Sequence, residues 1–336
     1  MSTDRVDAAV ESSTLKQVLG ILLVVIPLFV PEVVVDATPL RPAAAMVIAG
    51  VLPVITAWMF APQFALAAIP LAGLTNGISV LVFGHTALAT VFAVVVAGLL
   101  GLSARWGLHT AGIFLAVQPM ITIIAGHPIL TFGTETPGRA AHALICAALA
   151  MGGGLWTVAI GAVLLRNEST GLPDQVPWPI VGFYATALMA MLGAGTLIAS
   201  TWLLGSAAGL VLATIVIVTR PTYDESRTMI AERTIGTLIG GFVAAAVAAI
   251  VVNVSALVLI GTAAMVVAAV LQLMHARYAW FVTFVTAAIV LFNAPHGNVF
   301  HVDVERVVWT VVGVVTVAAV IAIAESVFGR YSDREA

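Results

Sequence analysis

Long apolar stretches separated by short polar breaks dominate the chain. Residues 42–104 contain no Asp, Glu, Lys or Arg, and residues 175–219 and 234–276 also lack all four. A membrane-spanning helix needs roughly 20 apolar residues to cross about 30 Å of hydrocarbon. Each stretch is therefore long enough for two or three spanning helices.

Turn-forming residues divide these stretches into single spans. The first stretch breaks at Phe60-Ala61-Pro62 and at Gly84-His85-Thr86, the second near Ser200-Thr201 and the third near Asn253. Five further apolar runs each fit one span: residues 17–36, 106–126, 140–165, 278–294 and 307–324. The pattern predicts an all-α integral membrane protein with about twelve transmembrane helices.

The basic residues predict the orientation of these helices, because positively charged short loops stay in the cytoplasm. With the N-terminus inside, only Arg41, Arg139 and Arg306 of the 13 Lys and Arg residues face outward. We therefore expect a multi-pass protein whose two termini are both cytoplasmic.

The composition excludes several classes of protein. Only 9% of residues are charged and 61% are hydrophobic, whereas soluble domains carry about 25% charged residues. The single lysine, Lys16, and the net charge of -3 leave no basic patch for nucleic acid. The single lysine also excludes a P-loop, and Cys146 stands alone in an apolar run. We expect no enzyme activity, no metal and no cofactor, because no paired carboxylates or metal-binding histidines lie within the spans.

A short signal recurs in the two halves of the chain. Ser103-Ala104-Arg105-Trp106 precedes the fifth span, and His275-Ala276-Arg277-Tyr278 precedes the eleventh. An even number of helices per half predicts two parallel six-helix repeats, residues 1–168 and 169–336, related by an axis along the membrane normal.

A finer signal lies within the second half, where two segments share the pattern Arg-x3-Thr-x2-Gly. The segments are Arg233, Thr237, Gly240 and Arg306, Thr310, Gly313. Their spans run in opposite directions in the twelve-helix arrangement, which indicates an inverted three-plus-three repeat within each half, with a chance match as the alternative. Gly236 and the two motif glycines are typical of close helix packing.

These motifs, together with Arg227 and the span-opening run Tyr278-Ala279-Trp280-Phe281, resemble the fusaric acid resistance protein-like module of the aromatic acid exporter superfamily. The resemblance covers about residues 176–328, whereas the third span of the first half begins Ala61-Pro62-Gln63 without an arginine. It implies a bacterial inner-membrane exporter of aromatic carboxylic acids and related compounds; plant malate channels are distant relatives.

The arginines are the first candidates for anion binding, because a guanidinium group pairs bidentately with a carboxylate. Arg227 and Arg233 would form a cytoplasmic mouth, and Arg306 and Thr310 would provide the second copy of the motif. Arg105 and Arg277 each precede an aromatic residue, Trp106 or Tyr278, and would add stacking on an aromatic acid. The alternative for all of them is that they anchor helix ends at the headgroups.

Three polar residues within the spans are further candidates. His109 lies one turn beyond Arg105 and is placed for proton exchange, with polar packing as the alternative. Gln118 precedes Pro119, and Asn76 follows Pro70. A proline inside a membrane helix frees a backbone carbonyl, so these segments either line a pathway or form packing kinks.

Three functional hypotheses follow. The first is a secondary efflux transporter for organic, aromatic carboxylate-type anions. The second is a passive anion channel, which the lack of an acidic residue deep in any span favours. The third is a non-transporting subunit of a larger membrane assembly. The expected partners are membrane lipid and a small organic anion, with association into homo-oligomers or with other membrane subunits.

Overall fold

In the computed structural model, the described part of the chain folds into α-helices joined by short turns. The structure describes residues 3–131, 136–165, 175–205, 207–251, 253–274, 276–293, 304 and 307–322. Twelve α-helices occur in these residues: α1 Thr3–Asp36, α2 Ala45–Phe60, α3 Pro62–Val82, α4 Thr86–Ser103, α5 His109–Ala125, α6 Arg139–Leu164, α7 Trp178–Trp202, α8 Gly209–Val218, α9 Tyr223–Ile250, α10 Val254–Leu273, α11 Tyr278–Asn293 and α12 Val307–Ala322. No strand occurs among them, so the predicted all-α class is confirmed.

The length and apolar character of the helices are those of a multi-pass membrane protein. Eight segments are long and apolar enough to cross a membrane, and α5, α8, α11 and α12 are apolar but shorter. Large aliphatic and aromatic side chains remain exposed along the helices, as lipid contact requires. The number of spans and the side on which each terminus lies remain predictions.

Local sequence explains several helix ends. Ala61 is extended between α2 and α3, and Pro62 occupies the first turn of α3, where its missing N–H costs nothing. Gly84 adopts a left-handed φ of 77° in the turn before α4. Asn253 caps α10 by accepting a hydrogen bond from the Ala256 N–H over 3.1 Å. The predicted breaks at these positions therefore coincide with helix ends.

The chain divides into two compact units. The smaller unit comprises Met1–Val30 and Ile235–Asp303, and the larger unit comprises Pro31–Thr234 and Val304–Ala336. The predicted repeats, residues 1–168 and 169–336, stay a prediction.

Close helix contacts in the larger unit depend on glycine. A Cβ at Gly50 of α2 would overlap the backbone of Ala150 of α6, and one at Gly153 of α6 would overlap the backbone of Val47. A Cβ at Gly101 of α4 would likewise overlap α7. The backbones approach this closely because glycine has no side chain, as in other membrane helix pairs.

The short helices α5 and α8 lie in the interior of the larger unit. The ten residues of α8 span only about 15 Å, and seven of them are buried. The Gly205 N–H, in the turn before α8, donates to the Ile124 carbonyl over 2.7 Å near the end of α5. A Cβ on Gly209 would lie 3.0 Å from the Ile121 Cα. The two helices therefore pack antiparallel, with their ends at residues 121–124 and 205–209 together.

In the smaller unit, the part of α9 after Thr234 packs against α11. A Cβ at Gly236 would come within 2.7 Å of the Val282 Cβ, and one at Gly240 within 2.9 Å of the Thr286 Cβ. A Cβ at Gly261 of α10 would lie 3.0 Å from the ring of Phe292. Glycines thus bring α9 and α10 close to α11.

Candidate functional site

A small cavity containing an arginine lies in the larger unit, where α8 ends and α9 begins. Its volume is about 30 Å³, enough for one or two water molecules. Arg220 is the charged residue of its lining, and Phe183, Tyr184 and Tyr223 provide aromatic rings. We call this the Arg220 cavity.

The turn after α8 holds Arg220 in place. The Arg220 N–H donates to the Ser226 hydroxyl over 2.9 Å, and this hydroxyl lies 3.3 Å from the Arg220 carbonyl, to which it donates. Ser226 is only 2% exposed, on the first turns of α9. The Arg220 Nη2 lies 3.7 Å from the Met229 sulfur, one turn further along α9. Ser226 therefore closes the turn that presents Arg220.

Aromatic residues from α7 form the opposite wall. Tyr184 is 2% exposed, and its hydroxyl donates to the Thr219 carbonyl over 3.3 Å. Phe183 and Tyr223 meet edge to face, with ring centroids 6.2 Å apart. Asp224 and Glu225 begin α9 but do not line the cavity. The cavity thus combines a guanidinium group with aromatic faces, the two groups that recognise an aromatic carboxylate.

Arg105 and His109 lie at the same end of the larger unit. The Arg105 guanidinium lies over the ring of Trp178, 5.6 Å from its centroid, and Nη1 donates to the Val176 carbonyl over 3.4 Å. Trp178, rather than the adjacent Trp106, is therefore the aromatic partner of Arg105. His109 is the first residue of α5, and the positive charge of Arg220 acts on its ring. The His109 Nδ1 is buried without a hydrogen-bond partner among the described residues.

The predicted mouth arginines on α9 differ in their surroundings. Arg227 is exposed and borders a shallow depression of about 160 Å³ with Ile230 and Ile321. Arg233 is 9% exposed, and Thr237, one turn later, is 3% exposed. Arg233 is thus a charged residue inside the fold, whereas Arg227 is accessible from outside.

The remaining motif residues are distributed over both units. Arg277 is exposed in the smaller unit, beside Tyr278, whose ring centroid lies 5.8 Å from that of Phe281. Thr310 of α12 is 3% exposed. Arg306 lies outside the described residues.

Asn76 and Gln118, predicted to line a pathway, are both in the larger unit. Asn76 is 1% exposed; its amide nitrogen donates to the Ala72 carbonyl over 2.9 Å, and its Oδ1 has no partner among the described residues. Gln118 is half-buried on α5, next to the interior proline Pro119.

Reasoning from the sequence missed Arg220, Tyr184 and Ser226. The sequence shows Arg220 as a basic residue between two apolar spans, but an arginine in that position equally fits an anchor at a helix end. Tyr184 is an isolated polar aromatic residue within an apolar helix, and that was the one signal available for it. The pairing of Arg105 with Trp178 joins residues 73 positions apart, which no local pattern reveals.

Comparison with known proteins supports the resemblance drawn from the motifs. The family model described as fusaric acid resistance protein-like matches residues 194–320. The matched segment runs from within α7 into α12, and it includes Thr219, Arg220, Tyr223 and Ser226 of the Arg220 cavity. Neither the curated proteins nor the solved structures that were compared contain a match to the chain.

Proposed function

We propose that the chain is a secondary transporter that exports organic anions of the aromatic carboxylate type across a bacterial cytoplasmic membrane. The Arg220 cavity is the observation that carries this proposal. Arg220 is half-buried in the turn after α8, where its guanidinium group can pair with an anion, and the rings of Tyr184 and Phe183 suit an aromatic one. The match to the fusaric acid resistance protein-like family supports the same class of function.

The size of the cavity bears on the mechanism. About 30 Å³ is far smaller than an aromatic acid, so binding requires the walls from α7, α9 and α12 to separate. A site that is closed in one conformation and open in another is what a transporter with alternating access requires. The anion would enter where Arg220, Arg105 and His109 lie, the end predicted to face the cytoplasm.

A passive anion channel is the second candidate. Residues 37–134 and 175–223 contain no Asp or Glu, so α2–α5, α7 and α8 lack the intramembrane carboxylates that proton-coupled transporters commonly use. Under this alternative the Arg220 cavity would still attract anions, but their flux would follow the electrochemical gradient alone.

Flux of radiolabelled benzoate through liposomes that contain the purified chain tests the proposal. Efflux faster than from protein-free liposomes is the expected result. Equal rates in the two preparations, with folded protein in the membrane, would contradict transport and favour a subunit of a larger assembly.

A further inference from the structure

The guanidinium group of Arg220 has no carboxylate partner among the described residues. It contacts the Met229 sulfur, 3.7 Å from Nη2, and a thioether sulfur is only a weak acceptor. The next charged residues along the chain, Asp224 and Glu225, are exposed and lie outside the cavity lining. The Arg220 cavity therefore offers one positive charge, which can pair with one anionic group of a ligand.

The neutral hydrogen-bond donors of the turn beside the cavity are already in use. The hydroxyl and the N–H of Thr219 both donate to the carbonyl four residues earlier, over 2.7 and 3.1 Å. The hydroxyls of Tyr184 and Ser226 donate to the carbonyls of Thr219 and Arg220, and the Arg220 N–H donates to the Ser226 hydroxyl. Pro221 has no N–H to donate. A second carboxylate on a ligand would therefore find no free donor in this turn.

The rest of the cavity lining is apolar, apart from one ring at its edge. Aliphatic, aromatic and thioether side chains come from α7 and α12: Phe183, Ala187, Met191, Val317, Val320 and Ile321. The remaining hydroxyl belongs to Tyr223, which is 37% exposed and therefore at the edge of the cavity. α7 and α12 contain no charged residue over Trp178–Trp202 and Val307–Ala322, so separation of these walls exposes no second charge. The cavity suits a ligand with one carboxylate and an otherwise apolar body, because burying an unpaired carboxylate costs free energy.

Ile321 of α12 lies between this cavity and a second arginine. Its side chain lines both the Arg220 cavity and the shallow depression beside Arg227, and it is the residue that the two linings share. Val320 lines the cavity alone, and Ala318 lines the depression alone. Arg227 does not line the Arg220 cavity. Ile321 thus forms a partition that keeps the Arg227 side of α12 out of the cavity.

We propose that the Arg220 cavity selects monocarboxylates over dicarboxylates, and that Ile321 sets this selectivity by keeping Arg227 out of the site. The inference rests on the proposed transport function. With Ile321 in place, the second carboxylate of a rigid dicarboxylate meets aliphatic side chains. Without its branched side chain, the cavity and the depression would join, and Arg227 would supply a second guanidinium group.

Efflux from liposomes that contain the wild-type protein tests the selectivity without any substitution. Terephthalate and para-methylbenzoate share one ring and differ at the para position, where terephthalate has a carboxylate and para-methylbenzoate has a methyl group. After subtraction of efflux from protein-free liposomes, terephthalate efflux should be at least about a hundredfold slower, because one of its carboxylates stays unpaired. A difference below about tenfold would overturn the selectivity and leave the proposed function intact. Efflux of neither acid above that from protein-free liposomes would overturn both proposals together.

Ile321→Ala tests the partition, with the ratio of terephthalate efflux to para-methylbenzoate efflux as the readout. This ratio should rise at least about tenfold, because Arg227 becomes available to the second carboxylate. Val320→Ala is the matched control, since Val320 is also half-buried and lines only the Arg220 cavity. Its ratio should stay at the wild-type value, and an equal rise in both variants would show a mere gain of space and overturn the role of Ile321.

A second substitution separates the contribution of Arg227 from that of the enlarged cavity. Arg227→Gln in the Ile321→Ala protein should return the efflux ratio to the wild-type value. A raised ratio that survives Arg227→Gln would overturn the partition, as would an unchanged ratio in Ile321→Ala. If Ile321→Ala does not yield folded protein, Ile321→Val, which removes one methylene group, should raise the ratio by a smaller factor. An unchanged ratio in Ile321→Val would then overturn the partition.

Discussion

Gly313 of α12 packs directly against Thr214 of α8: a Cβ at position 313 would lie 2.8 Å from the Thr214 Cβ. The same pair of residue types meets in the smaller unit, where Gly240 of α9 faces Thr286 of α11 at 2.9 Å. Thr214 and Thr286 both bury a hydroxyl without a partner among the described residues. Gly240 and Gly313 are the glycines of the two Arg-x3-Thr-x2-Gly segments. In both units the motif glycine therefore provides a close helix contact with a buried threonine; the inverted repeat itself stays a prediction.

Gly313→Val should destabilise the protein by about 2 kcal/mol, because the added side chain overpacks the contact with Thr214. The melting temperature of the purified protein in detergent measures the effect. Gly182→Val is the matched control, since nothing lies within 4 Å of a Cβ at Gly182 on α7. Equal melting temperatures for the two variants would show that α12 does not pack on α8 as described.

Ser226→Ala should slow benzoate efflux by about fivefold, because the Ser226 hydroxyl closes the turn that presents Arg220. One such hydrogen bond contributes about 1 kcal/mol, which corresponds to this factor. Thr228→Ala is the control; Thr228 is exposed and bonds only to the carbonyl of Asp224 on its own helix. Efflux rates in liposomes report the difference. A Thr228 variant as slow as the Ser226 variant would assign the effect to α9 in general rather than to the turn.

His109→Gln tests the prediction, made from sequence position alone, that His109 exchanges protons. The substitution should abolish the response of benzoate efflux to a proton gradient while leaving efflux at equal pH within about threefold. Exposed His85, before α4, provides the control variant His85→Gln. Efflux is measured in liposomes with and without a pH difference. Wild-type efflux that ignores the pH difference would favour the passive channel instead.

Both termini should react with a membrane-impermeant reagent only after the cells are opened. The prediction follows from twelve spans and from the ten basic residues on the inner side. Single cysteines at the two ends, introduced after Cys146 is replaced by alanine, make the measurement possible. Labelling of one end but not the other in intact cells would exclude an even number of spans.

The helical class and the helix ends were largely predictable from the sequence, because charged residues, proline and glycine interrupt the apolar stretches. The predicted breaks at Ala61 and Asn253 coincide with helix ends for this reason. The shortness of α8 was not predictable, since its preceding turn is itself apolar. A left-handed Gly205 with φ 81° and its backbone bond to Ile124 define that turn, and both depend on tertiary packing.

The candidate site was less predictable than the fold. Arg105 and His109 were identified from their positions beside a span, but the aromatic partner of Arg105 comes from a distant helix. Asn76 was identified as a polar residue near a proline. Tyr184 and Ser226 were not identified, because only the tertiary structure brings them to the cavity that Arg220 lines.

Benzoate efflux from liposomes containing Arg220→Gln, compared with Arg41→Gln, tests the anion-transport proposal most directly. The Arg41 side chain is 71% exposed and pairs with Asp36 over 3.2 Å, so its loss should change efflux by less than about twofold. Arg220→Gln should slow efflux at least tenfold, because it removes the cavity's charged partner for the carboxylate. Wild-type efflux from the Arg220 variant would contradict an anion route through this cavity.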